Sequence, residues 1–226
     1  MPNLPDARRL RAALTATRAD LLALPAGALL PLAFAPVSFF PLAVLAPALL
    51  FLLWLDVTPR RALWRGLLFG FGQFGVGVSW VYVAIHDFGH SGMPLAVLLT
   101  VLFVGVLALF PMLLGYLAAR FVRGPDWLRL GLLFPAAWTL IEWCRGWFLT
   151  GLPWLNLGYS QIDAPLRGFA PLAGVYGVTL AVAAISRTEL GNRPQPARLS
   201  PRRPPSWTRS MEWATASTRI WLPMDL

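Results

Sequence analysis

Long apolar runs, with clusters of arginines at alternate junctions between them, restrict this chain more than any other feature. The runs extend over roughly 20–34, 39–55, 66–85, 93–119, 128–143 and 169–185. About 20 apolar residues in a helix cross the hydrocarbon core of a bilayer, and a backbone in lipid must satisfy its own hydrogen bonds, so each run is expected to be helical. Composition agrees: 57% of the 226 residues are hydrophobic and only 13% are charged, where soluble domains carry about 25% charged residues. The expected fold is all-α, a polytopic membrane helix bundle of about six transmembrane helices.

The arginines give an expected orientation. Arg8, Arg9, Arg11 and Arg18 precede the first run, Arg60, Arg61 and Arg65 follow the second, and Arg120, Arg123 and Arg129 surround the link between the fourth and fifth. Arg187, Arg193, Arg198, Arg202 and Arg203 follow the sixth. The turns at 35–38 and 86–92 carry none. With the N-terminus on the cytoplasmic side, every cluster obeys the excess of basic residues on that side, and both termini are cytoplasmic. Three parts follow: a cytoplasmic segment 1–19, a transmembrane domain 20–186 with an outer-face loop at 144–168, and a tail 187–226. The tail is rich in proline, arginine and serine and is expected to be disordered. No cleavable signal peptide is recognised; the first run reads as a retained span. Pro25 and Pro31 predict a kink or break within it.

The same residue counts exclude several chemistries. The formal charge is +9, but it lies in loop-sized clusters rather than on a nucleic-acid-binding face, so no nucleic-acid partner is expected. All 19 basic residues are arginine, so no lysine chemistry is available. One cysteine, Cys144, rules out an internal disulfide and a cysteine metal cluster. His86 and His90 supply at most two metal ligands, short of the three or four protein ligands a zinc site takes. Neither a metal nor a cofactor is expected. Gly66 and Gly70 show the small-xxx-small spacing that lets membrane helices approach closely.

Polar residues concentrate in one stretch, Glu142 to Gln161, at the end of the fifth run. Glu142 and Arg145 are spaced to pair on one helix face. Arg145 also suits a phosphate or carboxylate, because its guanidinium is a planar fork. Gly151 and Pro153 break the helix and present Trp154 from a bent backbone. Trp147 and Trp154 suit an interface belt; Asn156, Tyr159, Ser160, Gln161 and Asp163 suit either a wet outer loop or a re-entrant segment lining a cavity. Cys144 is a poor nucleophile candidate, since no histidine lies near it in sequence. The candidate substrate- or lipid-binding residues are Glu142, Arg145, Trp147, Trp154, Tyr159 and Gln161, and no catalytic residue is assigned.

Three segments carry a resemblance: GFGQFGVGVSWVYVAIHDFG (70–89), FPAAWTLIEWCRGWFLTGLPWLNLGYSQID (134–163) and PLRGFAPLAGVYGVT (165–179). In this order they resemble the membrane half of bacterial apolipoprotein N-acyltransferase, over roughly residues 20–186. The resemblance implies a multi-pass protein of the bacterial cytoplasmic (inner) membrane. It implies transfer of an acyl chain from a phospholipid to the α-amine of the diacylglyceryl-cysteine that begins a lipoprotein, through a thioester on an enzyme cysteine. The partners implied are membrane phospholipid as acyl donor and the lipoprotein N-terminus. In the family the chemistry belongs to a nitrilase-like domain with a Glu, Lys and Cys triad. This sequence has no lysine and its one cysteine lies in the membrane-half motif, so that triad is absent and the chain is expected to be a truncated, inactive form. The alternative expectation is a non-enzymatic six-span scaffold, lipid-binding or transport module.

Overall fold

Prolines and small polar residues set the helix starts. Pro41 opens helix α2 (Pro41–Leu53). Thr58 caps α3 (Pro59–Gly77), its hydroxyl accepting from the Arg61 amide at 3.4 Å, with Pro59 in the first turn. Proline is favoured there because the first-turn amides lack helical partners anyway. Pro94 plays the same part after Gly92 in α5 (Met93–Phe121), and Pro135 does so in α7 (Phe134–Arg145). Before these comes α1 (Ala7–Leu29), tightened into a 3-10 turn at Leu30–Ala33. A short α4 (Trp80–Val83) runs into a π turn at Ala84–Phe88. A single turn α6 (Asp126–Leu128) runs through a second π turn, Arg129–Leu133, into α7. After α7 the chain takes 3-10 turns at Leu157–Gln161 and Pro165–Phe169 and ends in α8 (Ala170–Ile185). The computed structural model describes residues 7–148 and 151–186, with side chains from Thr17 onward. The expected disordered tail, 187–226, lies outside the described residues, as do residues 1–6.

Every described element is helical, as the sequence predicts. Two segments are long and apolar enough to cross a membrane, Met93–Phe121 and Pro165–Ile185; a third is present if Pro59–Gly77 and Trp80–Phe88, bent by 54°, count as one broken span. Six spans are thus not established by length and composition, for local reasons. In α1 the uninterrupted apolar run begins only at Leu21, after four charged residues at Arg8, Arg9, Arg11 and Arg18 and a fifth at Asp20. α2 has 13 residues, about 20 Å at the helical rise. α7 has 12, because a π turn precedes it and Gly146 follows. Of the two prolines expected to break the first run, Pro25 sits inside continuous α1, and the change of helix comes at Pro31, in the 3-10 turn Leu30–Ala33. The helix containing that run starts at Ala7, so part of the segment 1–19 is helical.

Ion pairs and carbonyl contacts gather one end of the bundle. Arg65 at the start of α3 donates to Asp20 of α1 at 2.6 Å and to the Leu53 carbonyl at the end of α2. Trp54 Nε1 donates to the Ala62 carbonyl at 3.1 Å. Arg129 reaches Asp56 at 3.1 Å and Asp126 at 3.4 Å. This is the arginine-rich end. Above it a core of Phe51, Trp54, Phe69, Phe134 and Trp138 packs by tilted and edge-on ring contacts between 5.6 and 6.1 Å. Small residues let the helices meet. A Cβ added at Gly70 would lie 2.7 Å from both Ala108 Cα and Pro111 Cγ, and one at Gly66 would strike the Pro111 carbonyl. The glycine spacing therefore serves close packing of α3 on α5. Ser186 Oγ donates to the Val44 carbonyl at 2.9 Å, so α8 finishes against the first turn of α2.

Candidate functional site

The far end is built from α7 outward. Glu142 and Arg145 fall three residues apart on its last turn, and both are buried, 2% and 3% exposed. No ion pair joins them among the described residues. Each instead holds the chain that follows. Glu142 Oε1 accepts from Trp138 Nε1 at 2.8 Å and from the Leu157 amide at 2.9 Å; Oε2 accepts from Thr179 Oγ1 at 2.9 Å. The Thr179 hydroxyl in turn accepts from the Gly158 amide at 2.9 Å. Arg145 donates to the Trp154 carbonyl at 2.7 Å and to Asn156 Oδ1 at 2.6 Å, and its guanidinium lies over Phe74 at 5.1 Å from the ring centre.

This clamp explains how an irregular segment stays buried. Residues 155–158 have few backbone partners of their own, and buried amides and carbonyls left unpaired are costly. The Glu142 carboxylate takes the Leu157 amide, the Thr179 hydroxyl takes the Gly158 amide, and the Arg145 guanidinium takes the Trp154 carbonyl. Gly158 completes the seat, since a Cβ there would strike the Val175 carbonyl. Leu155 holds a positive φ of 58°, a conformation uncommon for a side chain of this kind and retained only where the surroundings impose it. Ser160 Oγ donates to the Leu157 carbonyl at 2.7 Å and accepts from Gln161 Nε2 at 3.0 Å.

The clamp carries an apolar cleft. It has a volume of about 700 Å³ and lies between the Pro31–Val37 turn, the α3–α4 bend at Val76, Gly77 and Trp80, and the Pro153–Leu155 strap with Tyr159. Trp80 and Trp154 stand together in its wall, ring centres 5.6 Å apart. A smaller hollow of about 250 Å³ adjoins it through Phe34, Ala35 and Tyr159, and adds Ser38, Ser160 and Asp163 to its wall.

The six candidate residues thus take three kinds of place. Trp154 and Tyr159, half exposed, line the cleft. Glu142, Arg145 and Gln161 are buried behind it. Trp147 is 58% exposed and packs edge-on against Trp143 at 5.6 Å, away from the cleft lining. Sequence reasoning passed over Trp138, Thr179, Phe74 and Trp80 as partners of this site. Thr179 carried a usable signal, the one threonine in the apolar run of α8; the others read as ordinary aromatic packing. Cys144 is a free, partly exposed thiol. No group of three or more metal-binding side chains exists among the described residues.

The family model described as the apolipoprotein N-acyltransferase N-terminal domain matches residues 26–187. The chain belongs to this family. A relative named apolipoprotein N-acyltransferase from Coxiella burnetii is 56% identical over 168 residues, 74% of this chain and 35% of the relative. Relatives of the same name from Methylococcus capsulatus and Azotobacter vinelandii are 50% and 49% identical over 169 and 183 residues, or 75% and 80% of this chain. They are covered to 34% and 35% of their own length, so the chain spans about a third of the curated relatives it matches. The resemblance expected over 20–186 is therefore borne out. The clamp, the strap and both hollows all fall inside the matched residues.

Proposed function

We propose that this chain is the membrane portion of an apolipoprotein N-acyltransferase of the bacterial inner membrane, and that its far end forms the periplasmic mouth at which lipid acyl chains and a lipoprotein N-terminus are handled. One observation carries the reading: a cleft of about 700 Å³ walled by Trp80, Trp154 and Tyr159 at the end opposite the arginines. Positive residues mark the cytoplasmic side, so the cleft faces outward, where diacylglyceryl-cysteine would arrive. An acyl chain fits an apolar groove with few polar groups at its rim. Trp154 and Tyr159 would touch the chain, and Trp147 would anchor the rim at the head-group level. Glu142, Arg145 and Gln161 would act as positioning residues, holding the strap that carries Trp154. In this reading the six apolar runs all cross, the shorter ones within a bundle whose neighbours complete the passage. Both termini are then cytoplasmic.

The 226 residues by themselves are proposed not to transfer the acyl chain. The sequence holds no lysine and its single cysteine sits one residue from the clamp arginine, so neither the base nor the nucleophile of the expected triad is present in them. Complementation tests this. In a strain depleted of its N-acyltransferase, expression of these residues alone is expected to leave lipoproteins diacylated, as read by mass spectrometry of their N-terminal peptides. Appearance of N-acylated lipoprotein would overturn the proposal of inactivity. Binding is a separate test: phospholipid with bromine on its acyl chains is expected to quench tryptophan fluorescence of the wild-type chain, and to quench Trp154→Leu less. Equal quenching in both would remove the cleft from the reading.

A further inference from the structure

The arginine-rich end holds more arginine than its own carboxylates use. Asp20 is taken by Arg65, and Asp56 and Asp126 are both taken by Arg129. Arg18, Arg60, Arg61, Arg120 and Arg123 have no ion-pair partner among the described residues. Four of the five are exposed and Arg61 is partly so. They converge in space. Gly115 of α5 packs on the Ala62 carbonyl of α3, which sets Arg60 and Arg61 beside the last turn of α5, where Arg120 stands and Arg123 follows. The Arg65–Asp20 bond brings Arg18 to the same end.

Helix stability does not account for this placement. Arg60 and Arg61 occupy the first turn of α3, which contains no acidic residue, and a cation there opposes the helix dipole. Only Arg120, in the last turn of α5, is well placed in that respect. Two large aromatics, Trp64 and Trp127, are 58% and 60% exposed at the same level, as side chains are that sit among lipid head groups.

We propose that this end is a binding surface for anionic phospholipid, with Arg60, Arg61, Arg120 and Arg123 holding head-group phosphates of the cytoplasmic leaflet. The inference rests on the membrane reading above. A guanidinium meets a phosphate through two parallel N–H···O bonds, which a choline-bearing zwitterion offers less favourably than an anionic lipid. Basic residues at such a surface each contribute attraction to anionic lipid, and several act together.

The test uses the full 226-residue chain, purified with its native lipid exchanged for an equimolar mixture of phosphatidylglycerol and phosphatidylcholine, and reads the ratio of the two lipids retained. Resistance to alkaline carbonate extraction, measured first on the same membranes, checks insertion independently; a chain released by carbonate would overturn the membrane reading rather than the lipid preference alone. The wild type is expected to enrich phosphatidylglycerol. The R60Q/R61Q/R120Q/R123Q variant is expected to lose that enrichment by about 10-fold or more, while the matching four-lysine variant keeps much of it and shows that the fold survives substitution. Arg167→Gln, at the far end, is expected to change nothing. Equal retention of both lipids by the wild type, full enrichment in the four-glutamine variant, or an equal loss in Arg167→Gln would each overturn the proposal.

Discussion

The two ends of this helix bundle use the same kinds of charged residue in opposite ways. At the arginine-rich end, charges meet charges: Arg65 finds Asp20 across 45 positions, and Arg129 finds Asp56 across 73. At the far end a glutamate and an arginine lie three residues apart on one helix and are both buried, yet they do not pair. Their hydrogen-bonding capacity goes to an amide, a carbonyl, an indole, a hydroxyl and an asparagine instead. Exposure separates the Asp56 pair from the Glu142 cluster, whereas Arg65 is buried and pairs with Asp20 because α1 brings that carboxylate to it. Asp56 is 82% exposed, so its pairing with Arg129 replaces water with little gain. Around Glu142 there is no water to replace, and every lone pair must be met from within. The first end ties helices together; the second ties an irregular strap to a helix.

The contrast can be broken by substitution. The largest effect is expected for Glu142→Ala, which leaves the Leu157 amide, the Trp138 indole and the Thr179 hydroxyl without their acceptor. The loss is about 3–5 kcal/mol, the usual size for removing one member of a buried polar network, read as loss of thermal stability in detergent together with faster proteolysis within 151–161. Were Glu142→Ala to unfold no more easily than the wild type, the clamp would not be what holds the strap. Arg65→Met comes next, at about 2 kcal/mol, because Arg65 is itself buried and bonds a carboxylate and a carbonyl. Here thermal stability should fall with strap proteolysis unchanged, which separates the two ends. Thr179→Val keeps the shape but removes the relay between Gly158 and Glu142, and about 1–2 kcal/mol is expected to be lost, with proteolysis again centred on the strap. The smallest effect is reserved for Asp56→Asn, within about 0.5 kcal/mol and shrinking further as salt is raised. A large loss there would mean that the exposed pair is structural after all.

Much of the fold was legible along the chain. Apolar runs located α2, α5 and α8 to within about two residues, whereas α3 starts at Pro59, ahead of the run expected at 66–85, because its capped first turns are polar, and it stops at Gly77. The Gly66–Gly70 spacing announced a close helix contact, and the contact with α5 is there. Span count was less legible. The third run bends by 54° at Val78–Ser79, and the fifth is interrupted by a π turn. The first break has no proline and is left to packing, while the second lies just before Pro135, whose missing amide interrupts the helical ladder. Among the candidate residues, Trp154 and Tyr159 lie in the wall of a cleft. The partners of Glu142 and Arg145 were not legible. Spacing pointed to each other, while the observed partners are 11, 15 and 37 positions away.

The sequence by itself determined the helical class and the arginine end, which follow from composition and from interactions within a turn or two; the family follows from the resemblance carried by residues 70–89, 134–163 and 165–179. Only the tertiary structure decided that Glu142 and Arg145 hold a strap instead of pairing with one another. Burial removes water from both groups at once, and which buried amide or carbonyl then stands within 3 Å depends on where α8 and the 155–158 segment return in space.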